Sequence, residues 1–247
     1  MEALSNWFEQ LLFGGARRLA VVTVIGSGGK TSLIWRLAAS LSGNRRILVT
    51  PATKMFLPEE KLYDRYCSGV PPEPVPGITL AGLFNETSGK LESLAFRQLE
   101  KIVPDYDLAL IEGDGSRERP LKAWAEDEPV VPNFTDLTIG VLPLWPIGKP
   151  VSETLVHRLS LFQELTGAAA GETIKPEHLL CLIPALFAKA KGKKLLFLNQ
   201  IEDEISLKQA RELSDNLPQE FRNGLYGIIA GSVKLGTIEE LYQAPFS

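Results

Sequence analysis

Apolar residues along the chain form two alternating patterns, short continuous runs and longer stretches with helical spacing. The continuous runs predict buried strands at about 19–25, 47–50, 78–83, 108–111, 137–142, 195–198 and 225–230. Helical spacing predicts helices at about 7–12, 31–41, 90–102, 152–165, 176–180, 182–190, 207–217 and 238–242. Parallel strands joined by helices need crossovers on the faces of a sheet. We therefore expect one α/β domain over 1–247, with a mostly parallel, doubly wound sheet and helices on both faces.

A proline-rich segment interrupts this alternation at about 56–88. Its run Pro-Pro-Glu-Pro-Val-Pro at 71–76 suits neither a helix nor a central strand, because proline lacks the backbone N–H. We expect a surface excursion here, with a short hairpin strand at 78–83.

Composition narrows the class of protein. Of the 247 residues 45% are hydrophobic, which is typical of a globular protein and not of a disordered one. The net charge of −4 gives no indication of a nucleic-acid or anionic-membrane surface. Two cysteines far apart, Cys67 and Cys181, predict neither a disulfide framework nor a thiolate metal site.

The sequence also predicts a soluble, cytoplasmic protein. The first residues include Glu2 and Glu9 and lack the basic start and apolar core of a signal peptide. No apolar run approaches the roughly 18 residues that a membrane span needs. The oligomeric state stays open.

The first core strand runs directly into a glycine cluster that ends in Gly-Lys-Thr and is followed by helical spacing. Strand, glycine turn and helix in this order favour a phosphate-binding loop of the P-loop NTPase kind. Its residues are Gly26, Ser27, Gly28, Gly29, Lys30, Thr31 and Ser32. Backbone N–H groups and the helix N-terminus would hold phosphate oxygens, Lys30 would reach the terminal phosphates, and Thr31, or less readily Ser32, would coordinate Mg²⁺. Val24 stands where the longer motif has its first glycine, and a plain strand-to-helix turn is the alternative.

The strand at 108–111 ends in two carboxylates, Glu112 and Asp114. An acidic strand end downstream of a phosphate loop is typical of a second Mg²⁺-handling element. Both residues are candidate metal ligands, and Asp114 is also a candidate catalytic base. The alternative is an acidic residue that only terminates the strand.

Three cations, Arg117, Arg119 and Lys122, follow within six positions of one another. We interpret them, with Lys30, as catalytic groups that hold a second anionic group or the transferred phosphoryl oxygens. A solvated charged loop is the alternative. An acidic run at 126–128 follows closely and is a candidate to pair with these cations.

Polar residues at three other strand ends complete the candidate nucleotide site. Thr53 and Lys54 follow the second strand, where open α/β sheets place ligands, although a plain turn fits equally. Asn199 ends the strand at 195–198, and Gly231 and Ser232 end the last one; these three are candidates to contact the nucleoside base. Whether the base is guanine or adenine stays open. His157, in the predicted helix at 152–165, is expected to be a packed or capping residue.

Several of these motifs together resemble the accessory protein family of selenium-dependent hydroxylases, often called YqeC. The similar segments include Gly-Ser-Gly-Gly-Lys-Thr-Ser at 26–32, Thr-Pro-Ala-Thr-Lys-Met at 50–55, Glu-Gly-Asp-Gly-Ser-Arg at 112–117, Arg-Pro-Leu-Lys at 119–122, His-Arg at 157–158 and Leu-Asn-Gln at 198–200. They extend over about 20–232. The resemblance implies a role in maturing selenium-dependent molybdenum hydroxylases, with the molybdenum cofactor or a selenium donor protein and a client hydroxylase as partners.

These observations favour an Mg²⁺-dependent nucleoside triphosphatase or phosphotransferase that uses ATP or GTP. A nucleotide-gated chaperone or carrier with little turnover is the first alternative. A domain that binds another anion, such as the pyrophosphate of a dinucleotide or pterin cofactor, is the second, and it predicts no dependence on Mg²⁺.

Overall fold

The computed structural model describes residues 2–15, 20–58 and 60–244, which form thirteen strands and seven α-helices. The strands are β1 (Val21–Gly26), β2 (Arg46–Pro51), β3 (Lys54–Phe56), β4 (Arg65–Ser68), β5 (Gly77–Asn85), β6 (Lys90–Glu92), β7 (Leu108–Glu112), β8 (Leu121–Lys122), β9 (Leu137–Pro143), β10 (Val156–His157), β11 (Lys193–Asn199), β12 (Gly227–Ser232) and β13 (Thr237–Gln243). The helices are α1 (Glu2–Phe13), α2 (Lys30–Leu41), α3 (Phe96–Ile102), α4 (Leu159–Thr166), α5 (Pro176–Leu186), α6 (Glu204–Asp215) and α7 (Gln219–Asn223). The predicted start of the first strand at position 19 lies outside the described residues.

The main sheet has the order β13-β12-β11-β9-β1-β7-β2-β5-β6-β3, and β4 pairs with β5 beside this path. Neighbours from β12 through β5 are parallel, as is β4 with β5. Three strands, β13, β6 and β3, run antiparallel to their neighbours. The prediction of an α/β fold with a mostly parallel sheet is therefore confirmed.

Alternate strand positions face two different apolar layers. Val22 shares a buried cluster with Leu37 of α2 and with α1. Ile25 instead shares a cluster with Leu182 of α5 and with α4 and α6. A third cluster includes Leu99 of α3. Because these strands are covered by helices on both faces, they read as continuous apolar runs.

Two helix predictions at the sheet edges are wrong. The segment predicted as a helix at 238–242 is strand β13, which pairs antiparallel with β12. The first part of the helix predicted at 90–102 is β6, which lies between β5 and β3, and helix α3 begins only at Phe96. In both cases hydrogen bonding to a neighbouring strand outweighs local helical spacing, which is a weak preference.

Two further helix boundaries also differ. The predicted helix at 152–165 begins only at Leu159, because Val156–His157 pairs in parallel with Leu121–Lys122 as a separate two-stranded sheet. The two helices predicted at 176–180 and 182–190 are the single helix α5, which has Pro184 in its interior.

The proline-rich segment at 56–88 extends the sheet. The strand predicted at 78–83 is the nine-residue β5, whose first half pairs with β2 and whose last residues pair with β6. The longest stretch described here without a strand or helix is 69–76, and it contains four of the segment's prolines. The backbone N–H groups that proline lacks are therefore not needed for sheet pairing there.

Strand order reverses at β1. From β1 the chain moves outwards on one side to β2 and β5, returns to β7, and then crosses to β9, β11 and β12 on the other side. Open α/β sheets bind ligands at the carboxyl ends of the strands next to such a reversal. The loop after β1, at 27–29, lies at this position.

Candidate functional site

The loop between β1 and α2 is a tight turn that depends on glycine. Gly26, Gly28 and Gly29 have φ angles of 102°, 66° and 119°. A Cβ atom would lie 2.2 Å from the Val141 carbonyl oxygen at Gly26 and 2.3 Å from the Pro143 ring at Gly28. The bare backbone therefore packs directly on β9, and α2 begins at Lys30 with no side-chain cap on its first N–H groups. Such a helix start is suited to an anion.

Contacts from distant segments hold this loop in place. The Ser27 hydroxyl donates to the Pro120 carbonyl at 2.7 Å, and the Ser27 N–H donates to the Val141 carbonyl at 3.0 Å. Asn199 donates from its amide to the Gly28 carbonyl at 2.8 Å. The loop conformation is therefore braced from β9, β11 and the segment after β7.

Thr31 and Glu112 come together at the end of β7. The Thr31 hydroxyl donates to Glu112 Oε2 at 2.7 Å. The parallel register of β1 and β7, in which Val24 lies opposite Glu112, brings the carboxylate to the start of α2. The carboxylate that the sequence predicted as a metal ligand thus lies beside the hydroxyl predicted for the same role.

The Glu112 carboxylate is almost fully buried. Burial raises its pKa above the ordinary value, while the charge of Lys30 and the Thr31 hydrogen bond act in the opposite direction. One carboxylate and one hydroxyl form an oxygen-only donor pair of the kind that Mg²⁺ uses together with water and phosphate oxygens. In the described ranges no three His, Cys, Asp or Glu side chains cluster as a self-sufficient metal site. The oxygen chemistry of the donor pair fits a Mg²⁺ ion whose other ligands come from water or from a bound anion.

Lys30 lies over the loop that precedes it. Its amine donates to the Gly26 carbonyl at 2.7 Å and is 3.5 Å from Asp114 Oδ1. The side chain is 4% exposed and lines the cleft described below. The Lys30 amine therefore already lies next to the loop at which a phosphate at the start of α2 would bind.

Asp114 is fully buried and lies outside the cleft lining. Its Oδ1 accepts the Gly26 N–H at 3.0 Å, and its Oδ2 accepts the Trp124 indole N–H at 2.7 Å. Lys122, also fully buried, is 3.0 Å from Oδ2 and donates to the Gly115 carbonyl and to Glu128. These contacts occupy both carboxylate oxygens of Asp114. Asp114 and Lys122 are thus buried and paired, as is typical of residues that stabilise the fold.

Glu128 connects this buried pair to Arg158. The Arg158 guanidinium binds both Glu128 oxygens, with Nη2 2.9 Å from Oε1. Burial acts to raise the pKa of Glu128, but the Arg158 hydrogen bonds and the Lys122 charge outweigh it, so the pKa is lowered. Pairing between the acidic run at 126–128 and the preceding cations is thereby confirmed for Glu128 and Lys122.

A single cleft of about 1150 Å³ extends over the carboxyl ends of the central strands. Its lining includes the loop residues Gly28, Gly29, Lys30, Thr31 and Ser32, together with Glu112, Thr53, Lys54, Arg117 and Arg119. The remaining lining comes from residues 55–56, 90, 115–116, 118, 120, 128, 145, 153, 157–160 and 200. The structure thus brings most of the predicted site residues to one cavity.

The three residues proposed to contact the base do not line this cleft. Asn199 is 2% exposed, and its side chain is engaged by Gly28 and by the Val233 N–H at 3.1 Å. Ser232 is fully buried and accepts the Leu235 N–H. At Gly231 a Cβ atom would lie 2.1 Å from the Thr237 carbonyl. Contact with a base stays a prediction for all three.

Phe56 and Trp145 line the cleft although no sequence pattern pointed to either; they are 58% and 44% exposed. Gln200 and His157, which the sequence analysis named only in the motifs at 198–200 and 157–158 and, for His157, as a packed or capping residue, line it as well. Gln200 has a φ of 63°. His157 lies in β10 and not in a helix; burial, with the charges of Arg158, Lys122 and Arg117, lowers its pKa to about 4.

Comparison with known proteins identifies the family. The model of the family described as YqeC protein matches residues 22–160. This chain belongs to the YqeC family. It is also 34% identical over 178 residues to the protein YqeC of Escherichia coli (strain K12). The matched region covers 69% of this chain and 70% of that protein. The resemblance noted in the sequence is therefore confirmed.

The region matched by the YqeC model contains every cleft-lining residue except Gln200. No solved structure gives a significant match. Within the ranges that the structure covers, no helix is both long enough and apolar enough to span a membrane.

Proposed function

We propose that this YqeC family member is an Mg²⁺-dependent nucleoside triphosphate-binding protein with a P-loop NTPase-like fold, which acts in maturing selenium-dependent molybdenum hydroxylases. The observation that carries the nucleotide part is the 2.7 Å hydrogen bond from Thr31 to Glu112 beside the glycine loop. This hydrogen bond places two oxygen groups that could bind Mg²⁺ next to a glycine loop that could bind phosphate, in the same cleft. The pathway part rests on the family resemblance alone.

In this proposal the loop and the start of α2 hold the phosphates through backbone N–H groups. Lys30 would move from the Gly26 carbonyl to the phosphate oxygens. Thr31 and Glu112 would hold Mg²⁺, which when bound would offset the charge of the phosphates. Arg117 and Arg119, which line the same cleft, would hold a second anionic group.

Asp114 and Lys122 receive positioning roles in the proposal. Asp114 fixes the Gly26 N–H, and Lys122 fixes Asp114. With both oxygens engaged, Asp114 is poorly suited to accept a proton from an attacking water or hydroxyl. This favours slow intrinsic turnover and supports a second candidate, a nucleotide-gated chaperone or carrier of the molybdenum cofactor or of a selenium donor.

Calorimetric titration with ATP and with GTP, each with and without Mg²⁺, tests the nucleotide proposal. We expect Mg²⁺-dependent binding of at least one nucleotide and loss of affinity by about 100-fold in Lys30→Ala, because a charge-assisted hydrogen bond contributes about 1.5–3 kcal/mol. Lys208→Ala is the matched control, since this lysine is exposed on α6 and lies outside the cleft lining. Equal affinity in wild type and Lys30→Ala would refute the site assignment.

Turnover separates the two candidates. Hydrolysis near ~10⁻³ s⁻¹ that rises only with a client hydroxylase would support the switch, whereas substrate-stimulated turnover above ~1 s⁻¹ would support the enzyme. The pathway is tested by deleting the gene in a host that makes such a hydroxylase. The purified hydroxylase should then lack selenium by elemental analysis; a full selenium content would count against this role.

A further inference from the structure

Unusual backbone conformations are concentrated at the cleft. Among the described residues, four non-glycine residues have positive φ angles, namely Arg117, Glu118, Arg158 and Gln200. All four line the cleft. Left-handed conformations of such residues are strained, and they persist where the surrounding structure enforces them, often at ligand sites. Arg117 and Arg158 are thus presented to the cleft at an energetic cost.

A small separate sheet joins the two segments that carry these arginines. Strand β8 follows the loop with Arg117 and Arg119, and β10 directly precedes Arg158. Their parallel pairing places Lys122 opposite His157. Two backbone hydrogen bonds, Leu121 N–H to the Leu155 carbonyl at 3.0 Å and Ala123 N–H to the His157 carbonyl at 3.1 Å, tie them together. The segments that carry the arginines are therefore joined by this small sheet.

The three guanidinium groups differ in how far they are already engaged. Arg158 is held by Glu128, and Arg119 donates one hydrogen bond to the Val156 carbonyl at 3.3 Å. Arg117 makes no hydrogen bond or ion pair with any residue that the structure describes. Two guanidinium groups already held in place and a third without a partner are suited to binding a carboxylate or phosphate group.

Besides Glu112, the acidic residues that line the cleft are Glu118, Glu128 and Glu153. Glu128 is neutralised by Arg158 and Lys122. Glu118 and Glu153 are exposed, so water and salt weaken their effect. The buried contacts from Glu128 through Lys122 and Asp114 to Gly26 also connect this surface to the phosphate loop.

We propose that Arg117, Arg119 and Arg158 form a second anion subsite, separate from the phosphate loop, that binds the phosphate or carboxylate group of a small second substrate. The proposal deepens the proposed function and rests on it for the identity of the first ligand. Arg158 replaces Lys122 in the cation set predicted from the sequence, because Lys122 is buried outside the cleft lining.

Calorimetry with two simple anions tests the subsite. The protein is titrated with inorganic phosphate and with malonate, first alone and then saturated with Mg²⁺ and a non-hydrolysable analogue of the preferred nucleotide. We expect at least one anion to bind in the presence of nucleotide, and Arg117→Ala to weaken it about 10-fold, in line with the loss of a charge-assisted hydrogen bond. Nucleotide affinity is measured in the same variant and should fall by less than the anion affinity does. Arg97→Ala, an exposed arginine on α3 outside the cleft lining, is the matched control.

Each outcome bears on one of the two proposals. Binding of phosphate but not malonate, or the reverse, supports the subsite and identifies the group that it takes. Displacement of the anion by nucleotide would place it on the phosphate loop and overturn the subsite, as would equal anion affinity in wild type and Arg117→Ala, or no anion binding at all. Anion binding that depends on Arg117 without any nucleotide binding would refute the proposed function and leave the subsite standing.

Discussion

The Thr31 hydroxyl donates a hydrogen bond to Glu112 across 81 positions of sequence, at a distance of 2.7 Å. The contact exists because β7 lies directly beside β1 in parallel register. It joins the start of α2 to the end of the neighbouring strand.

Replacing Glu112 tests whether this pair binds a cation. We expect Glu112→Gln to weaken Mg²⁺-dependent nucleotide binding by about 10- to 100-fold, because the carboxylate is the charged member of the donor pair. Affinity without Mg²⁺ should change little. Glu153→Gln, at an exposed carboxylate of the same cleft, is the control. An equal effect of Glu112→Gln with and without the metal would contradict a role in cation binding.

The close approach of Gly26 to β9 should make this position intolerant of a side chain. Gly26→Ala would place Cβ 2.2 Å from the Val141 carbonyl at a φ of 102°, and we expect a loss of about 3 kcal/mol or more in unfolding free energy. Gly89→Ala should lose only about 1 kcal/mol, since its φ is 65° but its surroundings are open. Urea unfolding measures both; similar losses would show that crowding is unimportant.

The buried cation Lys122 should stabilise the fold strongly. Lys122→Met leaves Asp114 and Glu128 without their shared partner, and we expect a loss of about 3–5 kcal/mol. Arg211→Met, which removes an exposed pair with Glu239, should cost at most about 1 kcal/mol. Chemical denaturation compares the two, and a loss at Lys122 no larger than that at Arg211 would argue against the buried network.

Relief of backbone strain at Glu118 should stabilise the protein. Glu118 has a φ of 62°, which glycine adopts without penalty, so we expect Glu118→Gly to raise the unfolding free energy by about 1 kcal/mol. Glu118→Ala keeps the strain and should be nearly neutral. Thermal and urea unfolding report the difference. A gain for alanine as large as that for glycine would attribute the effect to the lost charge.

His157 should make stability depend on pH in the acid range. Its folded-state pKa is about 4, below the ordinary 6.5, because of burial and the nearby charges of Arg158, Lys122 and Arg117. Between pH 6.5 and 4 the unfolded chain therefore takes up a proton that the folded protein does not, and stability falls as pH falls, by at most about 3 kcal/mol.

Unfolding measured from pH 7 to pH 4 in wild type and in His157→Asn isolates this contribution. The difference between the two proteins should change between pH 6.5 and 4, while the loss caused by protonation of Glu128 remains in both. Parallel stability curves would show that His157 is not responsible.

Prediction from the sequence succeeded where the local pattern and the segments next to it in the chain indicated the same element. The apolar runs gave the central strands, and the glycine cluster followed by helical spacing correctly indicated a tight turn into α2. It failed for 238–242 and for 90–92, where pairing with β12, β5 and β3 overrides helical spacing. Asp114 and Lys122 also could not be distinguished by sequence from groups that face the cleft, because burial depends on how distant segments pack.

The sequence by itself determined the alternation of elements, the glycine loop and the chemical types of residue at the strand ends, because these follow from local spacing and backbone geometry. Only the tertiary structure decided which charges meet: it set Glu112 beside Thr31, withdrew Asp114 and Lys122 into a buried network, and brought Arg158 to Arg117 and Arg119. Strand register and the pairing of β8 with β10 set these contacts, and both depend on hydrogen bonds between segments far apart in the chain.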